Sequence, residues 1–154
     1  MYFINKNDEK KSISEYNHDI INIKVQSIKE VTYENNSQIQ MFLNIDNENK
    51  KIQELYNGII GFEKTIQNKV VLSDHREFTS NIIDEYTFTN NNGEDITIPK
   101  RFKLNIKRFL DENNKTINDY PKGTIINCNI TCNKLWINNK YGIWWSVNDI
   151  QVQN

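Results

Sequence analysis

Hydrophobic and polar residues alternate along most of this chain, and the alternation predicts strands. Ile21, Ile23 and Val25 alternate with Asn22, Lys24 and Gln26. After the turn Glu34-Asn35-Asn36-Ser37, Ile39, Met41, Leu43 and Ile45 alternate with Gln40, Phe42 and Asn44. A period of two marks half-buried strands, with Phe42 on an otherwise polar face. Between residues 49 and 67 the period lengthens. Ile52, Leu55, Tyr56, Ile59, Ile60, Phe62 or Glu63, and Ile66 fall at helical spacing. Asp46-Asn47 offers a cap, and Gly58 and Gly61 weaken the helix. Asp74 with Glu77 predicts a capping box for a short helical turn near Phe78.

The alternation then returns. Tyr86–Thr89 and Ile96–Ile98 flank the turn Asn90-Asn91-Asn92-Gly93, a small hairpin. Phe102, Leu104 and Ile106 oppose Arg101, Lys103, Asn105 and Lys107 in the clearest two-faced strand, residues 101–109. Ile126, Cys128 and Ile130 oppose Asn127, Asn129 and Thr131. Asn138-Asn139 predicts a two-residue turn, because Asn tolerates positive φ. Residues 1–17 show no period and read as a loose arm. The sum is a mainly β domain over residues 18–154. It suits an OB-like antiparallel barrel with one inserted α-helix, with a β-sandwich as the alternative.

Composition narrows the function classes. The chain has 154 residues, enough for one core without metal or disulfide staples. Its net charge of -1 gives no global pull toward nucleic acid, so such binding needs a local basic strip. No run approaches a membrane span and no signal peptide is evident, so an intracellular setting is expected. Cys128 and Cys132, four apart on one strand face, read as buried free thiols. His18 and His75 stand in no ligand spacing, so neither metal nor other cofactor is expected. There is no phosphate-cradling glycine loop, HExxH or nucleophile elbow. The expectation is therefore a protein without enzymatic activity. A site assembled around His75 and Arg76 is the weaker enzymatic alternative.

All three tryptophans, Trp136, Trp144 and Trp145, lie within ten positions. Trp144 and Trp145 are adjacent, so on a strand they face opposite ways. Trp145 shares its side with Tyr141, Ile143 and Val147 and reads as core. Trp144 shares its side with Gly142 and Ser146, and Gly142 leaves room for a ligand or another backbone. Trp136, Trp144, Tyr141 and Phe42 are the candidate aromatic contacts for unpaired bases. Arg101, Lys103, Lys107, Arg108, Lys122, Lys134 and Lys140 are the candidate phosphate contacts. The rival reading makes the tryptophans core and the protein a β-rich interaction or structural module.

The stretch from about Phe102 to Val152 resembles the single-stranded-DNA-binding proteins of large eukaryotic DNA viruses. These are related in pattern to phage replication proteins of the same OB type. The resemblance rests on Phe102-Lys103-Leu104-Asn105-Ile106, Lys122-Gly123-Thr124, Leu135-Trp136-Ile137, Lys140-Tyr141-Gly142-Ile143-Trp144-Trp145 and Asp149-Ile150-Gln151-Val152. It implies an OB fold and sequence-independent binding of single-stranded DNA, with RNA as the other partner of that chemistry. It also implies a role in replication, recombination or repair, in the host cytoplasm or nucleus if the chain is viral. Homo-oligomers and replication proteins are the further partners it suggests. Replicative members often end in an acidic tail, whereas this chain stops at Gln153-Asn154.

Overall fold

In the computed structural model, residues 1–33, 36–45, 49–106 and 123–153 are described. Two short strands, β1 (Tyr2–Ile4) and β4 (Val70–Leu72), pair in parallel beside the main sheet. That sheet is built on β2 (Lys10–Tyr33), β3 (Asn36–Asn44), β8 (Arg101–Ile106), β9 (Ile125–Ile137) and β11 (Ser146–Gln153). Their pairings run β2–β3–β8–β11–β9 and return to β2. This is the Greek-key circuit of an OB-like barrel. It is only partly closed, because β8 and β11 share one described residue pair, Asn105 beside Ser146.

A strap of residues 77–83 fills the rest of that opening. Its strand β5 (Ile82–Ile83) pairs with Phe102 and Arg101. Asn81 accepts the Lys103 N–H through its carbonyl, and its side-chain amide donates to the Lys103 carbonyl, both at 2.9 Å. At its other end the strap lines the edge of β10 (Tyr141–Ile143), where Thr79 N–H donates to the Tyr141 carbonyl at 2.8 Å. The expected helical turn near Phe78 is absent. Asp74 instead binds the Arg76 guanidinium at 2.8 Å, and Phe78 bridges to Tyr141.

Helix α1 (Lys50–Lys69) packs against β2 and into the barrel core. Asn49 caps it, accepting from Lys51 and Ile52 N–H groups at 3.0 and 3.2 Å, while the expected cap residues Asp46 and Asn47 lie outside the described residues. Ile52, Leu55, Ile59, Glu63 and Ile66 are its buried stripe. Gly58 has a reason: a Cβ there would collide with the Tyr16 hydroxyl. Tyr16, Phe62 and Phe102 surround Trp145, with ring centroids 5.7, 5.9 and 5.7 Å from the indole. Met41, Leu43, Leu104, Ile130, Leu135 and Ile143 complete the same core, all fully buried.

Two expectations about the first strand need correction. Residues 1–17 are not a loose arm: Ile4 is buried, and Lys10–Ser12 and Tyr16–Ile20 pair with β9. The alternation fails to show this because β2 slips register between Ser12 and Tyr16. Ile21 is not core either, being 45% exposed. Asn22 takes φ +55° at a second slip between Ile20 and Ile23, and its N–H is held by Asn127 Oδ1 at 2.6 Å. The bulge turns Ile21 outward while Ile20 and Ile23 both enter the core.

Candidate nucleic-acid interface

The loop between the fourth and fifth barrel strands is a hairpin in which β10 folds back on β9. Its turn is tightened by Asn138 Oδ1, which accepts from Lys140 N–H at 3.0 Å. Neither Asn138 nor Asn139 uses the positive φ expected of them. Gly142 stands opposite Trp136 across the hairpin. A Cβ at Gly142 would lie 2.5 Å from Trp136 Cζ2 and 2.8 Å from the Thr79 carbonyl. The space that glycine leaves is therefore taken by the Trp136 ring and the strap backbone. The ring lies on the outer face and stays half-buried.

Trp144 and Trp145 form the step between β10 and β11 (Ser146–Gln153), and burial divides them as expected. Trp145 is completely buried, and Trp144 is half-buried on the outside. Trp144 N–H donates to the Lys134 carbonyl at 3.0 Å, which holds the two residues side by side. Lys134 Nζ sits 5.1 Å from the centre of the Trp144 ring. An ammonium over an indole is attracted to the negative ring face.

Lys134 also lines a groove with Lys10, Lys11, Ser12 and Asn133. The register of β2 on β9 sets Lys10 opposite Trp136 and Ser12 opposite Lys134. Lys10 and Trp136 thus share the outer face, as do Ser12 and Lys134. Lys10 and Lys11 were missed from sequence because they lie in the segment read as an arm. Their one signal is the lysine pair itself, which has no period around it. Lys140 is exposed at the hairpin tip, 4.0 Å from Glu77.

Other predicted residues fall elsewhere. Arg101 and Lys103 are half-buried on the outer face of β8. Phe42, opposite Lys103 on β3, is 5% exposed and lies beneath the Arg101 guanidinium, 4.9 Å from the ring centre. It is not an open stacking surface, because β8 covers it. Tyr141 is buried as well, with its ring edge against Phe78 at 5.4 Å and its hydroxyl pKa raised by burial. Its main chain is held by Glu77 and Thr79, so it supports the hairpin from inside. Lys107, Arg108 and Lys122 lie outside the described residues. Cys128 and Cys132 are free and buried, and burial pushes each thiol up to about 12.

No protein-family model and no curated protein matches the chain. Among solved structures it is similar to the crystal structure of gp2.5, a single-stranded DNA binding protein encoded by bacteriophage T7. The TM-score is 0.52 at 11% identity, covering 88% of this chain and 90% of that chain. At that identity the likeness is one of fold. It bears on the phage side of the resemblance seen in the sequence and not on eukaryotic viruses. A mainly β, OB-like fold with a single described helix, similar to that of a phage single-stranded DNA binding protein, is thus the conclusion that sequence, topology and comparison share.

Proposed function

We propose that this chain binds single-stranded DNA without sequence preference and acts in DNA replication, recombination or repair as a binding protein rather than an enzyme. The observation that carries the reading is the half-exposed Lys134–Trp144 pair, whose lysine also lines a groove with Lys10 and Lys11. In OB folds, oligonucleotides use the face of the second and third barrel strands and the loops between strands one and two and strands four and five. Here the second and third barrel strands are β3 and β8, bearing Arg101 and Lys103. The loop between the fourth and fifth carries Lys140 and Trp144. The fold's likeness to a phage single-stranded DNA binding protein supports the same reading.

In this reading Lys10, Lys11, Lys134, Lys140 and Lys103 contact phosphates, and Trp144 with Trp136 stacks on bases. Each stacked base contributes about 1–3 kcal/mol. Every base has a π-face, so stacking discriminates little between sequences. The test is titration with a fluorescein-labelled dT oligonucleotide at low and high salt, following anisotropy and tryptophan emission together. Salt-sensitive binding with quenching, weakened in Trp144→Ala, is expected. Absence of binding at micromolar protein and low salt overturns the proposal.

A further inference from the structure

One element is not used by the barrel or by the proposed DNA site. Strands β6 (Tyr86–Thr89) and β7 (Asp95–Ile98) pair only with each other among the described residues. Their register sets Tyr86 opposite Ile98 and Phe88 opposite Ile96, so one face is wholly apolar. Tyr86 and Phe88 stack with centroids 6.0 Å apart. The other face is polar, with the Thr87 and Thr97 hydroxyls 2.9 Å apart and Thr89 donating to Asp95 at 2.8 Å. Tyr86, Phe88 and Ile96 are 48, 41 and 38% exposed. A lone two-stranded hairpin is marginal in water, and an aromatic face left in solvent marks an interaction surface.

Charge identifies the occupant. Residues 84–99 carry Asp84, Glu85, Glu94 and Asp95 and no lysine or arginine. All four are exposed, and none forms an ion pair among the described residues. Such an arm repels phosphate, so its aromatics are poorly placed to stack on nucleic acid. Two hairpins face to face would oppose their own carboxylates. The complementary surface on the molecule is the groove of Lys10, Lys11 and Lys134, whose ammonium groups also have no ion-pair partner among the described residues.

We propose that the 84–98 hairpin of one copy docks into the lysine groove of a second copy. The contact is head-to-tail: carboxylates meet lysines, and Tyr86 and Phe88 approach Trp144 and Trp136. The inference rests on the groove assigned above, but not on DNA being its ligand. If DNA takes the same groove, each ligand weakens the other by the same factor.

Sedimentation of the full chain over a range of concentrations, at low and high salt, tests this. Glu85→Lys/Glu94→Lys alters the hairpin and spares the Thr89–Asp95 bond. Lys10→Glu/Lys11→Glu alters the groove. Each alone is expected to weaken self-association at least about tenfold, with unchanged thermal melting. An equimolar mixture of the two variants, each supplying one intact half, is expected to restore association. A dT oligonucleotide is expected to dissociate the wild-type assembly. A monomer at all concentrations overturns the inference, as does association indifferent to either reversal. So does a hairpin variant that loses dT binding with its association intact, which would make the arm a DNA element. If dT fails to bind but the mixture still associates, the DNA reading falls and this one stands. If dT binds a strict monomer, the reverse holds.

Discussion

Two outer surfaces of this barrel carry the same kinds of residue, and the structure treats them differently. On β9 and the step after β10, Trp136 and Trp144 remain half-exposed, with Lys134 at the Trp144 ring and Lys10 of β2 opposite Trp136. On β3 and β8, Phe42 is sealed beneath Arg101, whose Nε is buried without a partner among the described residues. Both read alike in sequence, as an aromatic on a strand's otherwise polar side. The difference lies in what the neighbouring strand lays over the ring. In the first case it is a lysine whose long stem leaves the indole half open. In the second it is a half-buried guanidinium lying on the ring. Only the first arrangement still offers an aromatic surface to a ligand.

The sharpest way to break this comparison is to truncate both rings. Phe42→Ala is expected to destabilise the fold by about 3 kcal/mol, as for other buried phenylalanines, while altering dT affinity little in the fraction that stays folded. Trp144→Ala is expected to do the opposite. It should leave the urea midpoint almost unchanged and weaken dT binding by about 1–3 kcal/mol. Equal loss of binding in both variants would mean that β3 also presents a stacking surface.

Charge sharpens the comparison further, at smaller cost. Lys134→Gln is expected to lower the slope of log affinity against log salt by roughly 0.7, the value for one phosphate contact on a single strand. Arg101→Gln removes a cation that is already committed to Phe42. It is expected to change the salt slope less than Lys134→Gln and to lower stability instead. Matching slope changes would place both surfaces on one DNA path.

The legible parts of the sequence were those where local spacing decides burial. Residues 101–104 kept the predicted faces, with Phe102 and Leu104 buried, and the 49–67 stripe became α1 with Glu63 among its buried residues. Trp144 outside and Trp145 inside agree with the apolar side that Trp145 shares in sequence with Tyr141, Ile143 and Val147. What escaped was set by events that break the period or come from far away. The bulge at Asn22 exposed Ile21. The slip after Ser12 hid the strand that carries Lys10 and Lys11. A further slip at Asp149, φ +53°, interrupts β11 between Asn148 and Gln151. Phe42 was misjudged because its cover, Arg101, arrives from a distant strand. The strap had no signature, since its hold on β8 and β10 runs mostly through main-chain groups and the one amide of Asn81.

That strap joins the two surfaces, and Glu63 beneath it provides the smallest and most selective test. The Glu63 carboxylate is buried and accepts from Ser80 Oγ at 2.8 and 2.9 Å, one residue before the Asn81 that clasps Lys103. Burial disfavours its charged form and raises its pKa, although the bonds from Ser80 and Asn81 pull the other way. The folded chain therefore holds this proton to higher pH than the unfolded chain does. Through the window between the ordinary carboxylate value and the raised one, stability falls as pH rises, and above it the penalty is constant. Glu63→Gln removes the titration and keeps an oxygen for Ser80. Urea midpoints measured from about pH 4 to pH 8 should show the Glu63 decline flattened in the variant, with the variant no less stable at neutral pH. Binding of dT should be unchanged, because the strap would still be clasped at Asn81 and Thr79. If Glu63→Gln instead weakens dT binding, the carboxylate on α1 sets the spacing of the two surfaces, and they act as one site.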